Sequence, residues 1–139
     1  MSYILYTDGG SRGNPGPAAA GAVLKKPLAT SHWETIGQWG KYLGIATNNH
    51  AEYQALILGL QKAREHGVTE LACRLDSELL VKQMKREYRV KHKDLAPLFM
   101  QAWNLAGQFT HISFTHVPRE ENKEADRVVN EKLDEYLKK

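Results

Sequence analysis

The chain has 139 residues, 42% apolar and 25% charged, with a formal charge of +3 and a pI near 9.0; this composition fits a single domain, residues 1–139, large enough for its own core. No apolar run approaches the ~20 residues of a membrane span, and the chain enters a strand at once, so neither a membrane anchor nor a signal peptide is expected. The lone cysteine, Cys73, excludes an internal disulfide and a cysteine-based metal cage, and a cytoplasmic setting is the expectation.

Tyr3 to Asp8 reads as a buried strand that ends on a carboxylate, followed by a glycine-rich loop from Gly9 to Pro17. Ala19–Leu24 and His32–Leu43 read as two more strands, with Pro27–Thr30 as the turn between them and an irregularity expected at Gly37 or Gly40. Thr47-Asn48-Asn49 opens the strongest helix, which runs to about His66 and stops at Gly67; Ala55, Leu56, Gly59 and Ala63 form its inner stripe. Glu70–Leu75 is a fourth strand ending on Asp76, and a second helix is expected from Ser77 to about Tyr88. Asp94 suits the cap of a third helix carrying Leu98, Phe99, Ala102, Trp103 and Ala106, with Pro97 in its first turn. Phe109–Val117 reads as a fifth strand, and a last helix runs from near Asn122 to Leu137. Trp33, Trp39 and Trp103 are assigned to the core. Short turns early and strand–helix alternation later predict a mixed α/β sheet, three antiparallel strands plus two parallel ones, with about four helices.

Four acids stand where acids are unusual. Asp8 and Asp76 end strands, and in α/β sheets ligands sit beyond the carboxyl ends of parallel strands. Glu52 lies three, four, seven and eleven residues before Ala55, Leu56, Gly59 and Ala63, so it crowns the buried stripe of its helix; Asp126 stands likewise to Val129, Leu133 and Leu137. Each acid also has a local reading. Asp8 could start a turn, and Glu52 could complete a capping box with Asn49. Asp76 could cap its helix through Glu78 or Leu79, and Asp126 could pair with Lys123. Four carboxylates gathered at one sheet edge repel one another unless hard cations intervene. Mg²⁺ suits an all-oxygen set, and two such ions about 4 Å apart are the usual arrangement for phosphodiester cleavage.

Thr7-Asp8-Gly9-Gly10-Ser11 with Gly13-Asn14-Pro15-Gly16-Pro17, Thr47-Asn48-Asn49-His50-Ala51-Glu52, Asp76-Ser77 and Asn122-Lys123-Glu124-Ala125-Asp126 follow one another across essentially the whole chain. Together they resemble a type 1 ribonuclease H, in a short form without the basic protrusion. The resemblance implies the ribonuclease H-like sheet of order 3-2-1-4-5. It implies an endonuclease that cuts the RNA strand of RNA–DNA hybrids, leaving 3′-hydroxyl and 5′-phosphate ends. Asp8, Glu52, Asp76 and Asp126 match its catalytic metal-binding acids, with two Mg²⁺ ions for which Mn²⁺ substitutes. Gly13, Asn14, Asn48 and Asn49 fall where the family meets the hybrid's minor groove, whose 2′-hydroxyls tell RNA from DNA; Asn48 or Asn49 could equally cap the helix. Thr47 matches a position that holds a DNA phosphate, although Ile45 replaces the arginine often found two residues earlier. No obligatory protein partner is implied, and a monomer is expected.

The basic run offers further substrate contacts: Lys82, Lys85, Arg86 and Arg89 are spaced to share one helix face, either on phosphates or simply in solvent. Many relatives carry a histidine in a loop before the last acid. A gapless alignment makes His116 its match; Val117-Pro118 favours the alternative, in which His116 ends the strand and the loop is shortened, with Glu120 or Glu121 as possible stand-ins. A non-catalytic hybrid binder and a DNA nuclease on the same fold are the competing readings. The complete set of four acids disfavours the pure binder.

Overall fold

The computed structural model describes residues 2–138. Its elements run β1 (Tyr3–Ser11), β2 (Gly16–Pro27), β3 (Trp33–Ala46), α1 (Asn48–Glu65), β4 (Glu70–Leu75), α2 (Glu78–Met84), α3 (Ala96–Ala106), β5 (His111–His116), a single 3-10 turn (Arg119–Glu121) and α4 (Lys123–Leu137). The sheet has the order β3-β2-β1-β4-β5. The β1–β2 and β2–β3 pairs are antiparallel, whereas β1–β4 and β4–β5 are parallel, as expected from the short early turns and the later helical crossovers.

β1 does not end at Asp8. Gly9, Gly10 and Ser11 continue the ladder opposite Ala20, Ala19 and Ala18, so Asp8 lies within the strand, just past the last β1–β4 pair, Thr7–Leu75. The expected irregularity of β3 falls beside Gly37: Leu24 pairs Gly37 and Lys25 pairs Thr35, leaving Ile36 as the extra residue. Gly40 instead pairs regularly with Gly21. A Cβ on Gly21 would lie 2.8 Å from the Ala125 carbonyl, and one on Gly40 2.6 Å from Lys132 Cγ. The glycine pair therefore lets α4 lie close against the sheet, with Val128, Val129 and Leu133 packed on Ala19 and Val23. The opposite face carries the larger core, in which Leu5, Leu24 and Leu71 meet Leu56 and Leu60 of α1, Leu80 and Met84 of α2 and Phe99 of α3.

Two helix boundaries and one strand boundary differ from the sequence-based expectation. α2 stops at Met84, because Arg86 takes φ 65° and turns the chain away. α3 has Leu95 at its N-cap with no side-chain bond from Asp94, because the amides of Leu95 and Ala96 are already bonded to the His92 carbonyl. β5 spans His111–His116 only. Trp33 and Trp103 are exposed, not core residues: the first starts an edge strand, and the second stacks on Phe99 at the rim of a groove shared with Met84 and Ile112. Among the described residues no helix is long and apolar enough to cross a membrane.

One buried polar contact ties α1 to α2. Tyr53 Oη donates to Gln83 Oε1 at 2.5 Å, and both residues are buried. Tyr53→Phe leaves that acceptor unpaired, so an expected loss of about 1–2 kcal/mol should appear as a Tm about 5 °C lower in thermal unfolding.

Candidate active site

The topology assembles the acids. Parallel pairing of β1 with β4 sets Asp8 beside Asp76, α1 crosses β1 with Glu52 in its second turn, and α4 brings Asp126 over β1 in its first. Asp8, Glu52 and Asp76 each offer a carboxylate oxygen, and these atoms all lie within 4.8 Å of one another. Asp126 stands at the margin, where it adds to the upward push on the Asp8 carboxyl.

The local alternatives fail on geometry. Thr47 caps α1, its Oγ1 accepting from the His50 amide at 3.2 Å. Glu52 leaves its own helix end and accepts from the Gly9 amide through Oε1 at 2.7 Å. Its Oε2 is buried without a protein partner. α2 is capped by Ser77, which accepts from the Leu80 amide at 3.3 Å, so Asp76 has no capping duty there. Asp126 does not pair with Lys123; its Oδ2 accepts from Asn130 Nδ2 at 3.3 Å.

Burial first, then the neighbouring charges of Glu52 and Asp76, pushes the Asp8 carboxyl up to about 10. Burial also raises Glu52, to about 7, against the pull of the Gly9 amide and the Arg119 guanidinium. An all-oxygen set this crowded, containing a buried oxygen that nothing in the protein satisfies, fits a hard divalent cation such as Mg²⁺.

The glycine loop is bracketed to α1. Asn14 Oδ1 accepts from the Asn48 amide at 3.0 Å, while Asn48 Oδ1 accepts from the Ser11 amide at 2.9 Å and from Ser11 Oγ at 3.0 Å. Asn48 is thus a loop anchor and not a cap. Gly13, Asn14, Thr47 and Asn49 are exposed beside it, with Gly13 at φ 96°. Asn49 opens onto a shallow groove of about 520 Å³ that continues along Leu79, Tyr88 and Arg89.

The basic residues do not share a helix face. Lys82 alone lies within α2, pairing with Glu78 at 2.9 Å and donating to Tyr88 Oη at 3.3 Å. Lys85 pairs with Glu87 at 3.3 Å. The Arg86 guanidinium packs over Phe99 and Trp103, 5.6 and 5.3 Å from the ring centroids. Arg89 lies beyond the helix, beside the groove reached by Asn49. His116 is the last residue of β5, paired with Leu75, and borders a groove between β5 and α2 that Glu78 and Lys82 also line. The strand-end alternative for His116 is therefore the one observed.

Two residues of the site escaped the sequence reading. Arg119, in the 3-10 turn, is the cation acting on Glu52. Asn122 precedes α4 but makes no side-chain cap; buried, it donates through Nδ2 to the Thr7 carbonyl at 2.8 Å, next to Asp8. Only its place in the motif before Asp126 signalled it.

A family model described as "Reverse transcriptase-like" matches residues 6–132. The chain is 46% identical over 134 residues to the "Bifunctional protein Rv2228c" of Mycobacterium tuberculosis, covering 96% of this chain but only 36% of that protein. The chain thus spans about a third of the length of the mycobacterial relatives it matches. Among solved structures, RNase H1 from the halophilic archaeon Halobacterium salinarum superposes with a TM-score of 0.91 at 40% identity, over 97% of this chain and 99% of that one. LC11-RNase H1, solved in complex with an RNA/DNA hybrid, superposes with a TM-score of 0.90 at 39% identity, over 98% and 99% of the two chains.

Proposed function

The chain belongs to the type 1 ribonuclease H family, and from that premise we propose that it is an endonuclease hydrolysing the RNA strand of RNA–DNA hybrids with two Mg²⁺ ions. The observation that carries the proposal is the convergence of the Asp8, Glu52 and Asp76 carboxylates beside the uncharged bracket of Gly13, Asn14 and Asn48. A pure binding module gains nothing from negative charge concentrated next to a phosphate backbone.

In this reading Asp8, Glu52, Asp76 and Asp126 hold the cations, and Mn²⁺ substitutes for Mg²⁺. When bound, such ions supply Lewis acidity and charge neutralisation at the phosphodiester. The protein's own groups do the positioning. The Gly9 amide fixes Glu52 through Oε1 and leaves Oε2 for the site. Asn122 ties the start of α4 to the carbonyl that precedes Asp8. Asn14 and Asn48 hold the loop where Gly13 and Asn49 can meet 2′-hydroxyls without introducing charge. Thr47 stands by for a DNA-strand phosphate, and Arg89 is the member of the basic group best placed for another, since Lys82, Lys85 and Arg86 are engaged within the protein. Water adds to phosphorus, the P–O3′ bond breaks and O3′ takes up a proton, leaving 3′-hydroxyl and 5′-phosphate ends. The proposal extends to a cytoplasmic monomer that needs no protein partner.

The test is a labelled RNA–DNA hybrid incubated with Mg²⁺ or Mn²⁺. Internal cleavage of the RNA strand is expected, with loss of activity on chelation and little action on single-stranded RNA or duplex DNA. Equal cutting of duplex DNA would favour a DNA nuclease, and hybrid affinity without turnover would favour a binding module.

A further inference from the structure

Asp126 is held differently from the other three acids. It is half-buried in the first turn of α4, and Asn130 stands one turn further on. Asn130 Nδ2 donates to the Asp126 backbone carbonyl at 3.1 Å and to Asp126 Oδ2 at 3.3 Å. At the other end of the same amide, Oδ1 accepts from Arg12 Nη2 at 3.5 Å. That guanidinium is anchored in turn by Asp134 Oδ1 at 2.7 Å. The amide thus lies between a cation and an anion, its oxygen toward the guanidinium and its nitrogen toward the carboxylate. A flipped amide would meet like partial charge at both ends, so the two flanking groups set its orientation. Arg12 directly precedes Gly13 and Asn14 in the loop that Asn48 ties to α1. The contact therefore joins the glycine loop to the helix bearing the fourth acid, across 118 residues of sequence.

We propose that Asn130 is a positioning residue for the Asp126 carboxylate, with Arg12 locking the amide that holds it. The inference rests on the reading of Asp126 as a metal-binding acid. An ordinary surface asparagine in a helix behaves otherwise. Asn is a weaker helix former than Ala, so removing an exposed one leaves stability unchanged or slightly higher and chemistry untouched. Supports one bond behind a metal ligand typically change metal affinity or activity by 10–100-fold.

The experiment compares wild type with Asn130→Ala, Asn130→Asp, Arg12→Ala and the Arg12→Ala/Asn130→Ala double variant. Cleavage of a labelled hybrid is followed across a Mg²⁺ titration, and Tm is followed across the same titration without nucleic acid. Asn130→Ala should keep or raise the metal-free Tm, lower kcat about tenfold, raise the Mg²⁺ needed for half-maximal rate, and leave KM for the hybrid within about twofold. Asn130→Asp, which sets a like charge against Asp126, should lose more and should need more Mg²⁺ for half of its thermal shift. Arg12→Ala should lose about threefold, and the double variant should be no worse than Asn130→Ala, because one contact is removed twice. Wild-type kcat and wild-type Mg²⁺ dependence in both Asn130 variants would overturn the proposal, as would a fall in kcat matched by collapse of Tm in both. A wild-type protein unable to cut the hybrid would overturn the functional reading instead, and the Mg²⁺ thermal shift would still decide the role of Asn130.

Discussion

Asp8→Asn is expected to abolish hybrid cleavage and, without divalent metal, to make the protein more stable than wild type by roughly 5–10 °C at pH 7. The two effects have one cause. Asp8 is buried against Glu52 and Asp76, and its carboxyl is raised from 3.8 to about 10, so folding at neutral pH must either bind a proton there or tolerate an unscreened charge. Each pH unit above the unfolded value costs up to about 1.4 kcal/mol, and relaxation of the cluster and counter-ions reduce the total at pH 7 to on the order of 2 kcal/mol. Asparagine, uncharged at every pH, removes the penalty. The sign follows from the raised value. The Asp8 contribution is most favourable below about pH 4 and is lost as pH rises toward 10, so the Tm gap between Asp8→Asn and wild type should widen from acid to alkaline pH. Saturating Mg²⁺ should then raise the Tm of wild type more than that of the variant and narrow the gap. Calorimetry with and without Mg²⁺ at several pH values measures all of this; a variant less stable than wild type in metal-free buffer would show that Asp8 is not under strain.

The mixed sheet of antiparallel and parallel strands and the three converging acids were legible in the sequence because each depends on a local signal: short early turns, later strand–helix alternation, a stripe at helical spacing below Glu52, and acids directly after apolar runs; the strand order came with the family resemblance. What was not legible lies in contacts between distant segments. Asn48 reads as a cap because capping is local, yet its carbonyl oxygen serves Ser11, 37 residues away, and Thr47 caps in its place. The spacing of Lys82, Lys85, Arg86 and Arg89 is that of one helix face. The helix ends early because Arg86 turns into the left-handed region, with its side chain lying over Phe99 and Trp103 of α3. The long-range contacts of Asn122 and Asn130 leave no local trace, since their partners Thr7 and Arg12 come from the opposite end of the chain.

Gly9→Ala should be severely damaging, and Gly10→Ala, one residue away, nearly silent. A Cβ at Gly9 would lie 2.2 Å from both the carbonyl carbon and the oxygen of Ala51 and 2.5 Å from the Glu52 amide nitrogen. All three are backbone atoms of α1, so no side chain can swing aside. β1 cannot retreat either, because Gly9 pairs with Ala20 on β2. Nor is α1 free to slide: about two turns further along, Gly59 is pressed on Leu5 and Thr7, where a Cβ would meet their side chains at 2.8 to 2.9 Å. The helix must tilt or lift, and the Gly9 amide bond to Glu52 goes with it. An expected loss of about 3 kcal/mol corresponds to a Tm roughly 10 °C lower. The activity of the folded fraction should fall by about 100-fold or more, since Glu52 is carried away from Asp8 and Asp76 by a displacement on the order of 1 Å. At Gly10 the added methyl would find only Val129 Cγ1, at an ordinary 3.8 Å, so Tm should stay within about 2 °C and activity near wild type. Thermal unfolding and hybrid cleavage of the two variants side by side test whether one backbone approach sets the position of Glu52. Equal damage at both positions would mean that the loop as a whole, not the β1–α1 crossing, governs the site.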